Sequence, residues 1–160
     1  MLDLSRDDLP GLITAIVLCE VVGAAPAFVT SRQLSGWYTT LVRPALAPPN
    51  WVFGPVWTAL FALLGIAVYL VYRDATGNLR RTALTAFVAQ YALNVSWTLV
   101  FFGQQDIQGG LVVIAVLWAF IAFTAYAFYR VRAVAGSLLV PYLLWVSFAT
   151  YLNYQFWVLN

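Results

Sequence analysis

WVFGPVWTALFALLGIAVYLVY, Trp51–Tyr72, runs through without a single charged side chain and ends at Arg73. A hydrocarbon core of ~30 Å needs about 20 helical residues to cross it, so this stretch reads as a membrane-spanning helix. The rest of the 160 residues agrees: 63% are hydrophobic and 9% charged, with a mean hydropathy of +0.85. A soluble domain is nearer half apolar and a quarter charged. A water-soluble core of this size cannot hide so much apolar surface, so the chain is read as a polytopic membrane protein.

Working outward, five segments qualify as spans: 10–31, 50–73, 82–102, 107–130 and 134–158. The predicted architecture is an all-α integral membrane bundle, one five-helix domain over 1–160, with a long loop between the first and second helices. Polar breaks separate the later spans at 73–81, 103–106 and 130–132. Pro48 and Pro49 precede the second helix, where a missing N–H costs nothing. The apolar run after Arg6 could imitate a secretory signal ending at Ala25-Pro26-Ala27. Glu20 interrupts that run and proline disfavours cleavage, so the segment is read as a retained span.

With five spans, Arg6, Arg73, Arg80, Arg81, Arg130 and Arg132 share one side and Arg32 and Arg43 the other. Arginine excess marks the cytoplasmic side, which predicts a cytoplasmic N-terminus and puts the first loop and C-terminus opposite. A prokaryotic cell membrane is the simplest location. The net charge of +2 is too small and dispersed for a nucleic-acid partner. The chain has no histidine and one cysteine, Cys19, which removes the common metal ligands and any intramolecular disulfide. No nucleophile–base pair, carboxylate pair or phosphate-cradling glycine loop appears, so conventional hydrolysis and phosphoryl transfer are not expected.

Seven tryptophans are present, and Trp57, Trp97, Trp118 and Trp145 lie inside apolar runs. Tryptophan usually collects at membrane edges. An interior indole must face protein, water or a ligand that satisfies its N–H. The four rings together point to an aromatic-lined cavity; the alternative for each is packing between helices. Gln90, Asn94, Trp97 and Phe101 share one face of the third span, and amides do not face lipid cheaply. They could line a pocket or act as interhelical glue. Trp57 and Phe61 pair at i, i+4 on the second span, and Ala149 leaves space beside Trp145 on the fifth. Large rings beside small residues and a few amides describe a site for a flat apolar molecule.

Glu20 is the one ionisable side chain well inside a span, where comparable charges cost ~2.5–3.5 kcal/mol. It reads either as a ligand or proton site, or as a protonated glutamate bonded across a helix interface. Gly11, Ala15, Cys19, Gly23 and Ala27 form a small-residue column on the first span, fit for close approach to another helix of this chain or of a second subunit. Ala115 and Ala119 offer a shorter surface of the same kind.

Trp37-Tyr38, Leu41-Val42-Arg43-Pro44, Pro48-Pro49-Asn50-Trp51-Val52-Phe53 and Trp57 together resemble the signature of the translocator protein family, also called tryptophan-rich sensory proteins or peripheral benzodiazepine receptors. The resemblance continues through Gln90, Asn94, Trp97, Phe101-Phe102-Gly103 and Trp118, and ends with Pro141-Tyr142-Leu143-Leu144-Trp145, Ala149-Thr150 and Leu152-Asn153. It covers nearly the whole chain in order. It implies a five-helix bundle, commonly a homodimer, whose pocket opens toward the first loop. The implied ligands are tetrapyrroles (protoporphyrin IX, haem) and other apolar planar molecules, with no required cofactor. By position, the implied ligand-binding residues are Tyr38, Trp57, Phe61, Asn94, Trp97, Trp145 and Ala149. Light-dependent oxidative degradation of protoporphyrin, using Trp57 and Trp145, is the implied alternative. A small proton-coupled efflux transporter using Glu20 stands behind both, because such transporters are typically four-span proteins. The chain departs from animal members in having no Lys or Arg after Tyr151 or Tyr154, so their cholesterol-recognition pattern is absent from that end.

Overall fold

The computed structural model describes residues 5–160. The described residues form helices and no strands, with α1 (Leu9–Ala24), α2 (Ala27–Leu34), α3 (Phe53–Asp74), α4 (Gly77–Thr98), α5 (Ile107–Val131), α6 (Ala133–Ser137) and α7 (Val140–Leu159). Four helical stretches are long and apolar enough to cross a membrane: Asn50–Asp74, Gly77–Gly103, Ile107–Val131 and Ala133–Leu159. A fifth crossing arises if α1 and α2 count as one broken span, bent by 41°. The molecule is an all-α, multi-pass membrane bundle.

The break within the first span corrects the expectation of one continuous helix over 10–31. Pro26 has no N–H to give and its ring crowds the preceding turn, so α1 stops at Ala24 and α2 starts afresh at Ala27. The Pro26 carbonyl accepts from Val29 and Thr30 in the new first turn. A second difference lies at 73–81, expected as a polar turn. Only Ala75 and Thr76 stay outside helix, while Gly77, with φ of +56°, opens α4 and carries Asn78, Arg80 and Arg81 into its first turns. At its other end α4 runs into a π-helical turn, Leu99–Gly103. Asp106 then caps α5, its carboxylate accepting from the Gly109 N–H at 2.8 Å.

The small-residue column of α1 finds its partner inside the chain. A Cβ on Gly11 would meet the Tyr69 ring at 2.7 Å, and one on Gly23 the Phe61 ring at 2.5 Å. From the opposite helix, a Cβ on Gly65 would lie 2.5 Å from Ile16 Cα. Each glycine admits a bulky group of the other helix, so α1 and α3 approach backbone to backbone. The remaining surface of α1 is apolar and outward: Ile13, Val17, Leu18 and Val21 are all more than half exposed. The core lies among α3, α4, α5 and α7, with Leu64, Leu70, Ile121, Phe128 and Tyr142 fully enclosed.

One end of the bundle is closed by charge. Asp8 accepts from the Tyr69 hydroxyl at 2.6 Å and pairs with Arg73 at 3.2 Å. Asp74 pairs with Arg73 and with Arg132, each at 2.7 Å. At the other end Asn160 accepts from the Val42 N–H at 2.8 Å and donates to the Val42 carbonyl at 3.2 Å. That clasp holds residues 35–52, which contain two short 3-10 turns and no α-helix, against the tip of α7.

Candidate functional site: an aromatic cavity beside the kinked first span

A cavity of about 300 Å³ lies where the α1–α2 kink faces the start of α3 and the end of α4. That volume is at the lower end of the ~300–1,000 Å³ typical of small-molecule sites. Its wall includes Glu20 and Gly23 from α1, Asn50, Phe53, Trp57 and Phe61 from the α3 side, and Asn94, Trp97 and Phe102 from the α4 side. Trp57 and Phe61 stack, their centroids 5.4 Å apart and their planes 28° from parallel. The space lies where Pro26 swings α2 off the α1 axis and where Gly54 carries no side chain.

Polar groups behind the rings fix their positions. The Asn94 amide donates to the Tyr142 hydroxyl at 3.0 Å, and Tyr142 in turn meets Trp57 edge-on at 6.2 Å. The Trp97 indole donates to Asn153 Oδ1 at 3.1 Å, while Asn153 donates to the Ile107 carbonyl at 2.8 Å. Buried donors and acceptors left unpaired cost ~1–3 kcal/mol each, so these bonds lock ring orientation as well as hold α4 to α7. Gln90, with no exposed surface, behaves differently: neither atom of its amide has a hydrogen-bond partner. The expectation of interhelical glue therefore holds for Asn94 and not for Gln90.

Of the seven residues implied as ligand-binding, the cavity brings together Trp57, Phe61, Asn94 and Trp97. Trp145 stands behind that wall, edge-on to Phe53 at 6.1 Å, with its indole nitrogen buried and unpartnered. Ala149 is buried in the main core. Tyr38 is enclosed in a separate aromatic cluster with Phe102 and Phe156, under the Arg43 guanidinium. Trp118 faces outward, 41% exposed, with its N–H given to Ser147 at 2.8 Å. Its ring belongs to the outer surface of the bundle and not to the cavity wall. Asn50 and Phe53, quoted above only within the family signature, were not among the residues expected at the site. Phe53 could have been found from its spacing, since Phe53, Trp57 and Phe61 recur every four residues along one helix face.

Glu20 reaches this cavity and is the one ionisable side chain on its wall. Among the described residues it has no hydrogen-bond or ion-pair partner. The structure thus supports the cavity reading of Glu20 over a bond across a helix interface. A larger groove, about 980 Å³, runs along the outer side between α1, α3 and α4, lined by Ala15, Leu18, Val88, Ala92 and Val95 among others. It is almost wholly apolar and gathers no convergent polar groups.

The sequence profile of the TspO/MBR family matches residues 15–158, nearly the full bundle and all of the cavity wall. The chain belongs to the TspO/MBR family. It is 46% identical over 152 residues to the tryptophan-rich protein TspO of Chlorobaculum tepidum, covering 93% of this chain and 95% of that one. It is 41% identical to the tryptophan-rich sensory protein of Cereibacter sphaeroides over 149 residues, 92% of this chain and 90% of that one. The human translocator protein is 38% identical over 136 residues, 81% of this chain and 80% of that one. In this TspO/MBR chain, then, the cavity, its stacked ring pair and its amide-bearing α4 face all lie within the part the family shares.

Proposed function

We propose that this protein is a membrane receptor or carrier for tetrapyrroles and similar flat apolar ligands, bound in the cavity beside the kinked first span. The observation that carries this reading is the convergence of the stacked Trp57–Phe61 pair and the Asn94–Trp97 face on one cavity. Flat rings gain contact area and favourable offset stacking against such walls. Trp145 acts through Phe53, and Tyr38 and Ala149 contribute to the packing around the site. Relatives named translocator protein and tryptophan-rich sensory protein support a receptor or sensory role. The commonly dimeric state implied by the family extends the proposal to a homodimer, with exposed Ala115 and Ala119 on α5 as a surface for close approach.

Protoporphyrin IX added at micromolar concentration to the purified protein should quench tryptophan emission saturably. Trp57→Ala should weaken the apparent affinity by about tenfold or more, in line with the loss of one aromatic stacking partner. No quenching in wild type would end the tetrapyrrole reading. The indole of Trp57 on the cavity wall also supports a second reading, oxidation of the bound porphyrin in light by dioxygen. Illuminated porphyrin should then lose its Soret absorbance faster with wild type than with a Trp57→Phe/Trp145→Phe double variant. Equal rates would reduce the effect to photobleaching.

A further inference from the structure

The polar groups on the cavity wall are unevenly balanced. Glu20 supplies a carboxylate with no partner among the described residues, and no arginine lines the space. Asn50 Oδ1, from the same wall, is buried without a hydrogen-bond partner. Part of the donor set on the wall is committed within the chain: Ser31 Oγ gives its proton to the Phe28 carbonyl at 3.0 Å, and the Asn94 amide donates to Tyr142 at 3.0 Å. Thr98 Oγ1 donates to the Asn94 carbonyl at 3.4 Å. The wall therefore offers one unpartnered carboxyl group and one spare amide oxygen, beside the aromatic rings of Trp57, Phe61 and Trp97, a ring type that attracts cations. An intramembrane carboxylate persists where a counter-charge or functional partner answers it, and here none of the described side chains does.

We infer that the cavity selects, among flat apolar molecules, those that carry a protonated nitrogen, with Glu20 as its counter-ion and Asn50 Oδ1 as a further acceptor. This rests on the reading of the cavity as the ligand site and adds the class of ligand it favours. A ligand carboxylate has no cation to meet on this wall, so a porphyrin bound here turns its acid groups away from Glu20.

A matched pair of probes tests this: aminoacridine, a cation at neutral pH, and acridine, the same ring system uncharged. Binding is followed by fluorescence in lipid nanodiscs. Wild type should bind aminoacridine about tenfold or more tightly than acridine, as expected for hydrogen bonding to a charged partner. Glu20→Gln should erase that preference while still binding acridine, which also shows that the variant is folded. Equal affinities in wild type, binding of neither probe, or a preference that survives in Glu20→Gln would overturn the inference. A second measurement uses wild type alone. Aminoacridine, and not acridine, should slow modification of Glu20 by a hydrophobic carbodiimide, read by mass spectrometry; unchanged modification overturns the inference even if the variant does not fold. Failure of protoporphyrin to quench tryptophan emission would remove the tetrapyrrole reading and leave this preference standing. Intact quenching with equal acridine affinities would remove this preference alone.

Discussion

At the scale of single residues, the site depends on a few side chains that each hold two others. Asn153 is the clearest case: it accepts from Trp97 and donates to the Ile107 carbonyl, linking α7 to both α4 and α5. Asn153→Ala leaves the Trp97 N–H without its acceptor and removes the bond that ties α7 to the start of α5. The expected loss is about 1–3 kcal/mol, the penalty for one donor left unpaired. Unfolding in detergent, followed by tryptophan emission, measures it. Asn153→Asp keeps the acceptor and should restore the environment of Trp97 better than alanine does. Gln90 predicts the opposite. Its amide makes no bond in the folded protein, so Gln90→Met should be neutral or stabilising by about 1–2 kcal/mol, because a buried polar group without a partner is a cost.

At the scale of elements, the decisive contact is α1 against α3. Gly65 sits where any Cβ would strike the Ile16 backbone at 2.5 Å, whereas a Cβ on Gly54 meets nothing within 4 Å. Gly65→Ala should therefore force the helices apart and lower the thermal midpoint, at a cost of about 1–3 kcal/mol for overpacking. Gly54→Ala should leave stability unchanged. Gly54 also lines the cavity, so its substitution should alter ligand affinity without altering the midpoint. A stability loss in Gly54→Ala as large as that in Gly65→Ala would contradict this packing. The column Gly11, Ala15, Cys19, Gly23 and Ala27 announced a close approach in the sequence. Its partner was open until Tyr69, Ile16 with Gly65, and Phe61 were seen to interlock.

At the scale of the whole molecule, charge and hydropathy set the ends of the bundle. Asp8, Arg73, Asp74 and Arg132 meet at one end, although up to 124 positions separate them in sequence (132 − 8). Asp74→Asn should weaken this cluster by about 1 kcal/mol, since partly exposed ion pairs contribute little each. Arginine bias predicts that this end faces the cytoplasm. In intact cells of a Cys19→Ala background, a membrane-impermeant maleimide should label Leu46→Cys, and should label Asn78→Cys only after permeabilisation. Labelling in the reverse order would invert the topology.

Composition alone established the membrane class, because no soluble core of 160 residues buries this apolar fraction. The approximate spans followed from the length needed to cross hydrocarbon, and the inward face of α4 from the cost of placing amides in lipid. Which tryptophans wall the cavity was decided only by tertiary structure. In a bilayer the lipid-facing and core-facing surfaces are both apolar, so Trp118 and Trp57 look alike in the sequence while one faces outward and the other lines the cavity. A cavity was foreseen from the interior rings, but its place and shape were equally illegible. It arises from a 41° bend at Pro26 and from the meeting of Glu20, Asn50, Trp57 and Trp97 from distant parts of the chain, and hydropathy along a single helix carries no trace of either.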